Sequence, residues 1–405
     1  MLKVKIKYIF FVVLILFSQS ACAELGFLEP PLSAEDRAKL EAFNKRRGLW
    51  VEAEGVVRPL SNPQEFSKLL LTLDSHRITD VYVQIYRRGR AWFPSKVADN
   101  SPYLENQLIN FDPLKELLSF CEQKNIRVHA WVNALRLGED HDLPFLKQVG
   151  RDAVLVDGGG RSLFDNNGKG VEGCRPDTPG IWLDPLHEEV KDHLVTVLRE
   201  LTELYPTLSG VHYDYLRYPY SIKGEAKERL PDCGQFIGKR EFEKKQGSRG
   251  ALISSAICRE CQSASNEEAG GIAELLRSLR DVVKERDANL EISSAVLPDP
   301  YLAQKNTRQD WSNWLNHGLL DSVVSMNYTK DKAQFFKNAK LASKASKGKI
   351  MIGLGAWLAL RQPSLLADEL DSIKFIEKEG VVLFSYANLS NNKGKRLYQI
   401  MDQFP

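Results

Sequence analysis

Eight short apolar runs, each followed by a stretch of helical period, constrain this chain more than any other feature. The runs are GLWVEA (48–53), DVYVQIY (80–86), RVHAWVNA (127–134), GVHYDYL (210–216), EISSAVL (291–297), DSVVSMNY (321–328), KIMIGLGAW (349–357) and GVVLFSYANL (380–389). Helix-period segments fall between and after them: Phe66–Leu73, Pro113–Lys124, Glu188–Leu204, Ile272–Arg286, Trp311–Gly318, Ala333–Ser346, Pro363–Glu379 and Lys393–Gln403. Strands that alternate with helices imply βαβ units and a parallel sheet. Eight repeats over about 350 residues predict a closed (β/α)8 TIM barrel with long βα loops, not a doubly wound open sheet. Neither of the usual Gly-rich phosphate loops is present to support nucleotide binding.

The strands carry a second regularity. Tyr82, Gln84 and Tyr86 alternate with Val81, Val83 and Ile85; His129, Trp131 and Asn133 alternate with Val128, Ala130 and Val132. His212 and Asp214 alternate with Val211, Tyr213 and Tyr215, and Ser325 and Asn327 with Val324 and Met326. One face of a barrel strand meets the helices and the other the axis. The apolar set suits the helices, so the polar set is expected to point inward. Buried polar groups cost several kcal/mol unless hydrogen-bonded. Polar groups converging from four strands therefore predict a shared polar site at the C-terminal mouth, where barrel enzymes keep their active sites.

The first residues read as an export signal and not as fold. Lys3, Lys5 and Lys7 precede an apolar run from Tyr8 to Phe17, and small residues follow at Ser20-Ala21-Cys22-Ala23. The run is too short to span a bilayer, and the pattern is that of a secretory signal over residues 1–23. Two processing routes stay open. Ala21-Cys22-Ala23 fits ordinary cleavage, and Ser20-Ala21-Cys22 fits a lipoprotein site that would put a lipid anchor on Cys22, although Gln19 stands where leucine is usual. The mature protein is expected in the periplasm or on the outer membrane. Residues 24–47 form a polar N-terminal extension, 48–405 the barrel, and 223–271 an insertion after the fourth strand. With 55 basic and 53 acidic residues the net charge is +2, which gives no field for nucleic acid.

Cys121 falls inside a helix-period segment and reads as a core thiol. Cys174, Cys233, Cys258 and Cys261 all fall in the long connections after the third and fourth strands. In an exported chain they suggest one or two disulfides. Cys258 and Cys261 could also form half of a zinc site, the weaker reading.

Several blocks, taken in order, resemble one family: RGLWVEA, TDVYVQIYRRGRAWFPS, IRVHAWVNALR, WLDPLHEEVKDHLVTVLREL, GVHYDYLRYP and VVLFSYANL. The chain resembles the glycosyl hydrolase-like 10 family, exported or lipid-anchored bacterial barrels related to glycoside hydrolases, over about residues 46–390. The resemblance implies a carbohydrate substrate, with cell-wall glycan a plausible target, and no cofactor. Members commonly carry Asn where this chain has Asp184, and often a second Asp where it has Tyr215. That second difference motivates an alternative, a glycan-binding barrel without turnover.

Glycoside hydrolysis generally uses two carboxyl groups across the scissile bond. Asp214 has inward parity near the end of its strand and matches the family's aspartate there, so it leads the candidates. Arg217 or Tyr218 would set its charge, favouring the ionised form, and His212 would orient it. For the second carboxyl group Asp299 comes first and Glu54 next, with Asp184 and Glu52 also near strand ends. Each could instead be a helix cap or a loop-fixing residue. His129, Asn133, Gln84 and Asn327 read as partners for sugar hydroxyls or for the acid, and Trp357 and Tyr386 as aromatic platforms. A metal set of His129, His212 and Asp214 is the weaker reading, because no HxH or HExxH spacing is present. Arg87, Arg88, Arg90, Arg136 and Arg217 share the rim and would serve an anionic glycan.

Overall fold

The structure, a computed structural model, describes residues 46–168, 175–222, 236–249, 260–390 and 392–403. The expected signal segment, Cys22, nearly all of the extension and much of the 223–271 insertion lie outside the described residues. So do Cys174, Cys233 and Cys258 and the side chain of Cys261.

All eight expected strands form. They are β1 (Arg46–Val51), β2 (Asp80–Arg87), β3 (Arg127–Asn133), β4 (Gly210–Asp214), β5 (Glu291–Val296), β6 (Ser322–Met326), β7 (Ile350–Gly355) and β8 (Gly380–Phe384). Neighbours pair in parallel around the ring. β1 pairs with β2 on one side (Leu49↔Val81) and β8 on the other (Leu49↔Leu383), so the sheet closes and no barrel edge is left. The first strand starts two residues before the expected boundary of the barrel, at Arg46.

Helices pack outside. α1 (Pro63–Ser75), α2 (Pro113–Gln123), α3 (Glu188–Leu204), α4 (Glu260–Arg286), α5 (Trp311–Asn316), α6 (Lys332–Ser346), α7 (Ser364–Ser372) and α8 (Asn392–Gln403) follow the strands in turn. Asn62 caps α1 by accepting from the Gln64 and Glu65 N–H groups, and Asp112 and Asp331 cap α2 and α6 in the same way. Their buried faces, such as Leu114, Leu117, Leu118 and Cys121 of α2, meet the outward residues of the strands. Burial pushes the Cys121 thiol up to about 12, as suits an inert core group.

The barrel interior is filled in layers. At its N-terminal end Arg46 pairs with Asp80 (2.8 Å), Glu291 (2.9 Å) and Glu379 (2.6 Å), and Arg127 reaches Asp80 (2.7 Å) and Glu291 (3.1 Å). His129 and Arg46 hold Asp80 well below the usual carboxylate range and Glu291 down to about 2, both against the opposing effect of burial. Above this charged plug sit Tyr82, Trp50, Trp131, Ala295, Val324, Met351 and Val382. The large rings fit because two facing positions are glycine. A Cβ on Gly48 would lie 2.9 Å from the Tyr82 ring, and one on Gly353 would lie 3.2 Å from Trp50 and 2.7 Å from the Ser325 carbonyl.

Candidate active site

The expected parity holds for β3, β4 and the first part of β2, and it puts Gln84, Asn133 and Asp214 at the barrel mouth. There they line a cavity of about 250 Å³ with Trp50, Glu52, Arg87, Trp131, Arg136, Tyr215, Arg217, Ala295, Met326, Tyr328 and Phe384. The Gln84 amide donates to Asn133 Oδ1 (3.2 Å), and its Oε1 accepts from Arg87 (3.0 Å).

Asp214 is held by the turn that ends β4. Tyr215 adopts a left-handed backbone, φ 52°, which is costly for a residue with a bulky side chain. That turn aims the Tyr215 N–H at Asp214 Oδ1, 2.7 Å away. The strain is offset on the ring side. Tyr215 packs edge-on to Trp182 (5.5 Å), with the guanidinium groups of Arg136 (5.3 Å) and Arg217 (5.7 Å) against its ring. Arg217 is anchored in turn by Asp177 at 2.7 Å. Tyr215, at the position where a second acid was a consideration, thus clamps the loop that carries the first.

Burial pushes the Asp214 carboxyl up from its ordinary range, and it outweighs the Tyr215 N–H, Arg217, Trp131 and Arg136, which all pull it down. Burial thus works against the ionised form that Arg217 was expected to favour. Arg217 spends its charge on Asp177, and desolvation favours the protonated form.

The second carboxyl group in the cavity is Glu52, one residue past β1, which accepts a hydrogen bond from Ser385 Oγ at 2.5 Å. Tyr328 lines the same cavity. Burial and the negative charges of Asp214, Glu52 and Tyr215 push its phenol well above the ordinary value, so it keeps its proton in the cavity that both acids line. Trp357, 39% exposed, packs edge-on to Tyr328 (4.8 Å) and Phe384 (5.7 Å) at the rim, a position suited to an aromatic platform.

Other candidates lie elsewhere. Asp299 is the N-cap of the helix Pro300–Thr307, accepting from the Leu302 N–H at 3.0 Å, and it does not line the cavity. Glu54 faces away from the cavity toward Arg87 (3.2 Å), Arg88 (3.6 Å) and Arg90 (3.4 Å). Asp184 fixes its own loop through the Leu186 N–H. His129 and His212 point inward but lie a layer too deep. His129 bonds Asp80 (2.9 Å) and stacks on Tyr82. His212 meets Ser293 Oγ (2.9 Å) and the Trp50 indole (3.3 Å), not Asp214, and burial pushes it down to about 3. It supports the cavity floor through Trp50. Tyr218 is buried under the Arg308 guanidinium, and Tyr386 is buried in the outer core; neither lines the cavity.

Two inward assignments fail on parity. Tyr86 follows a register shift between Gln84 and Tyr86, and its hydroxyl meets His193 of α3 (3.0 Å) outside the barrel. On β6 the order is reversed: Val324 fills the barrel and Met326 lines the cavity, while Asn327 faces α6. Its amide donates to the Phe335 carbonyl (2.8 Å) and accepts from Asn338 (3.0 Å). Asn327→Ala should therefore cost about 1–3 kcal/mol of stability, the scale of a buried group left unsatisfied. Denaturant unfolding of the variant checks this.

The family model described as "Glycosyl hydrolase-like 10" matches residues 45–358. Among curated proteins, "Glycosyl hydrolase YngK" of Bacillus subtilis (strain 168) is 28% identical over 188 residues, which is 44% of this chain and 32% of that protein. "Glycosyl hydrolase DigH" of Escherichia coli (strain K12) is 20% identical over 341 residues, 78% of this chain and 73% of that protein. This chain thus spans about a third of the Bacillus relative. The catalytic domain of a β-amylase from Paenibacillus polymyxa superposes with a TM-score of 0.56 at 11% identity, covering 89% of this chain and 98% of that one. Gan42B, a GH42 β-galactosidase, gives 0.55 at 11% identity, covering 89% and 56%. At such identities these likenesses speak for the barrel alone.

Proposed function

The chain belongs to the glycosyl hydrolase-like 10 family, and from that premise we propose that it hydrolyses O-glycosidic bonds in a cell-envelope polysaccharide, with peptidoglycan glycan strands the first candidate substrate. The observation that carries this reading is the pairing of Asp214 and Glu52 in one cavity at the barrel mouth, with Asp214 biased toward its protonated form. A protonated carboxyl group can give its proton to the glycosidic oxygen as the C–O bond breaks. Glu52 then serves as the base that activates water or as the nucleophile that bonds the anomeric carbon before water displaces it. Trp50, Trp131 and Phe384 offer ring faces to the sugar, and Gln84, Asn133 and Tyr328 offer polar groups to its hydroxyls.

The test is incubation of the mature protein with purified glycan strands and with neutral polysaccharides, reading new reducing ends by mass spectrometry against an Asp214→Asn control. The competing reading, a glycan-binding barrel without turnover, is favoured by Tyr215 standing where relatives often carry a second acid. Binding without new reducing ends would decide for it.

We also propose that the protein is exported. The supporting pattern is the basic, apolar and small-residue order of residues 1–23. The mature chain is expected to begin at Cys22 or at Glu24. Mass spectrometry of the native N-terminus checks this: a diacylglyceryl group on Cys22 marks a lipoprotein, a free Glu24 marks ordinary cleavage, and an intact Met1 refutes export. In a two-membrane bacterium, Ala23 after the lipid site, with no Asp there, favours the outer membrane for a lipoprotein.

A further inference from the structure

Beside the Asp214 cavity lies a second hollow of about 420 Å³, lined by Arg58, Arg87, Arg88, Arg90, Glu54 and Glu105 among others. Its size is within the ~300–1,000 Å³ of small-molecule sites. Arg87 lines both hollows, so the two adjoin at that side chain.

The arginines are gathered by local structure. β2 turns back through a tight hairpin in which Tyr86 pairs with Ala91 and Arg87 with Arg90. The two residues of the turn, Arg88 (φ 54°) and Gly89 (φ 71°), are both left-handed, the pattern of a type I′ turn. A non-glycine residue there is a cost, and the surroundings accommodate its side chain. Gly138 faces the Arg88 stem, and a Cβ on it would lie 3.0 Å from Arg88 Nε. That Nε is shielded from solvent with no hydrogen-bond partner. One carboxylate, Glu54, is shared among three guanidinium groups, and among the described residues Arg58 has no ion pair. Arg90 also reaches Asp99 at 3.4 Å and Glu105 lines the hollow, so four arginines stand against three carboxylates and one positive charge is left in excess. A guanidinium fork matches a carboxylate in shape and charge.

We propose that this hollow is a subsite for a carboxylate-bearing sugar next to the unit held at Asp214, with Arg58 and Arg88 as its specificity residues. The inference rests on the hydrolase reading above and adds the acidic class of the substrate. Glu54, in this arrangement, spaces the arginines; the incoming carboxylate completes their pairing.

The test is a binding titration in the Asp214→Asn background, which removes turnover. Two probe series are used, alternating N-acetylglucosamine–N-acetylmuramic acid oligosaccharides and hyaluronan oligosaccharides, each beside its carboxyl-reduced counterpart. The acidic form of at least one series should bind about tenfold more tightly than its reduced form, the scale of one charge-assisted hydrogen bond. A preference confined to the first series assigns an ether-linked carboxylate, and one confined to the second a ring carboxylate. Adding Arg58→Ala and Arg88→Ala together should abolish the preference and leave binding of the reduced form unchanged. Should that pair unfold, Arg58→Ala alone, at an exposed position, should still weaken the preference. Equal binding of both forms, no binding of either, or a preference that survives the arginine variants overturns the proposal. Turnover by the chain with Asp214 intact is read separately. A protein that shows the preference but cleaves neither form loses the hydrolase reading and keeps this subsite.

Discussion

Asp214→Asn is expected to lower kcat by about 10²–10⁴-fold, the contribution of a positioned general acid, and at neutral pH to raise the unfolding temperature. The two effects have one cause. Burial lifts the Asp214 carboxyl above its unfolded value. A raised folded pKa favours the native state below the unfolded pKa, and that advantage is lost as pH rises through the folded one. Above the unfolded pKa the wild type therefore gives up stability that asparagine, which does not ionise, keeps. Asparagine keeps an oxygen to accept the Tyr215 N–H, so the turn is preserved. The stability gap should narrow as pH falls through the folded pKa and vanish below the unfolded one. Thermal unfolding across that range, beside kcat on a cleaved glycan, checks both. The alkaline limb of the wild-type pH–rate profile should also lie above the ordinary carboxyl range, because the acid must be protonated to act. A residue that merely braced the loop would give the opposite signs: retained turnover and a lower unfolding temperature.

The fold was legible because eight strand periods and their helices agree at every level, from the alternation in β3 to the caps at Asn62 and Asp112. The site was legible in part, because parity tells which face a side chain takes but not at which height. His129 and His212 share the inward face with Asn133 and Asp214, yet one pleat lower they meet Asp80, Ser293 and Trp50. Polarity also misled on β6. An amide can be satisfied between strand and helix, as Asn327 is by Asn338, and a barrel layer can be closed by Val324 and Met351. The bulge after Gln84 leaves no mark in the residue pattern, so Tyr86 was placed on the wrong side. Asp299 sits in an Asp-Pro pair that opens a helix, a local cap signal that competes with any catalytic one. The carboxyl group placed behind Asp299 and Glu54 had a stronger signal: Glu52 is two residues beyond Trp50, whose ring fills the barrel, and period two carries that inward face on to Glu52.

Glu52→Gln should accordingly lower kcat by about 10²-fold or more, while Glu54→Gln and Asp299→Asn leave kcat within about threefold of wild type. The contrast follows from position. Glu52 opens onto the cavity that holds Asp214, and Ser385 Oγ orients its carboxylate from behind. Glu54 is engaged by three arginines, and Asp299 by the helix it caps. Glutamine keeps the Ser385 contact and the volume, so a loss of turnover with unchanged glycan affinity reports the chemistry of the carboxylate and not a collapse of the site. The role is separated by Glu52→Ala in the presence of azide. If Glu52 is the nucleophile, azide attacks the anomeric carbon in its place and a glycosyl azide of inverted configuration accumulates. If it is the base, the wild-type product already has inverted configuration, because water attacks directly. Nuclear magnetic resonance of the first-formed anomer distinguishes the two. Full activity in Glu52→Gln would remove the second carboxyl group from the mechanism, and with it the two-carboxylate reading of this cavity.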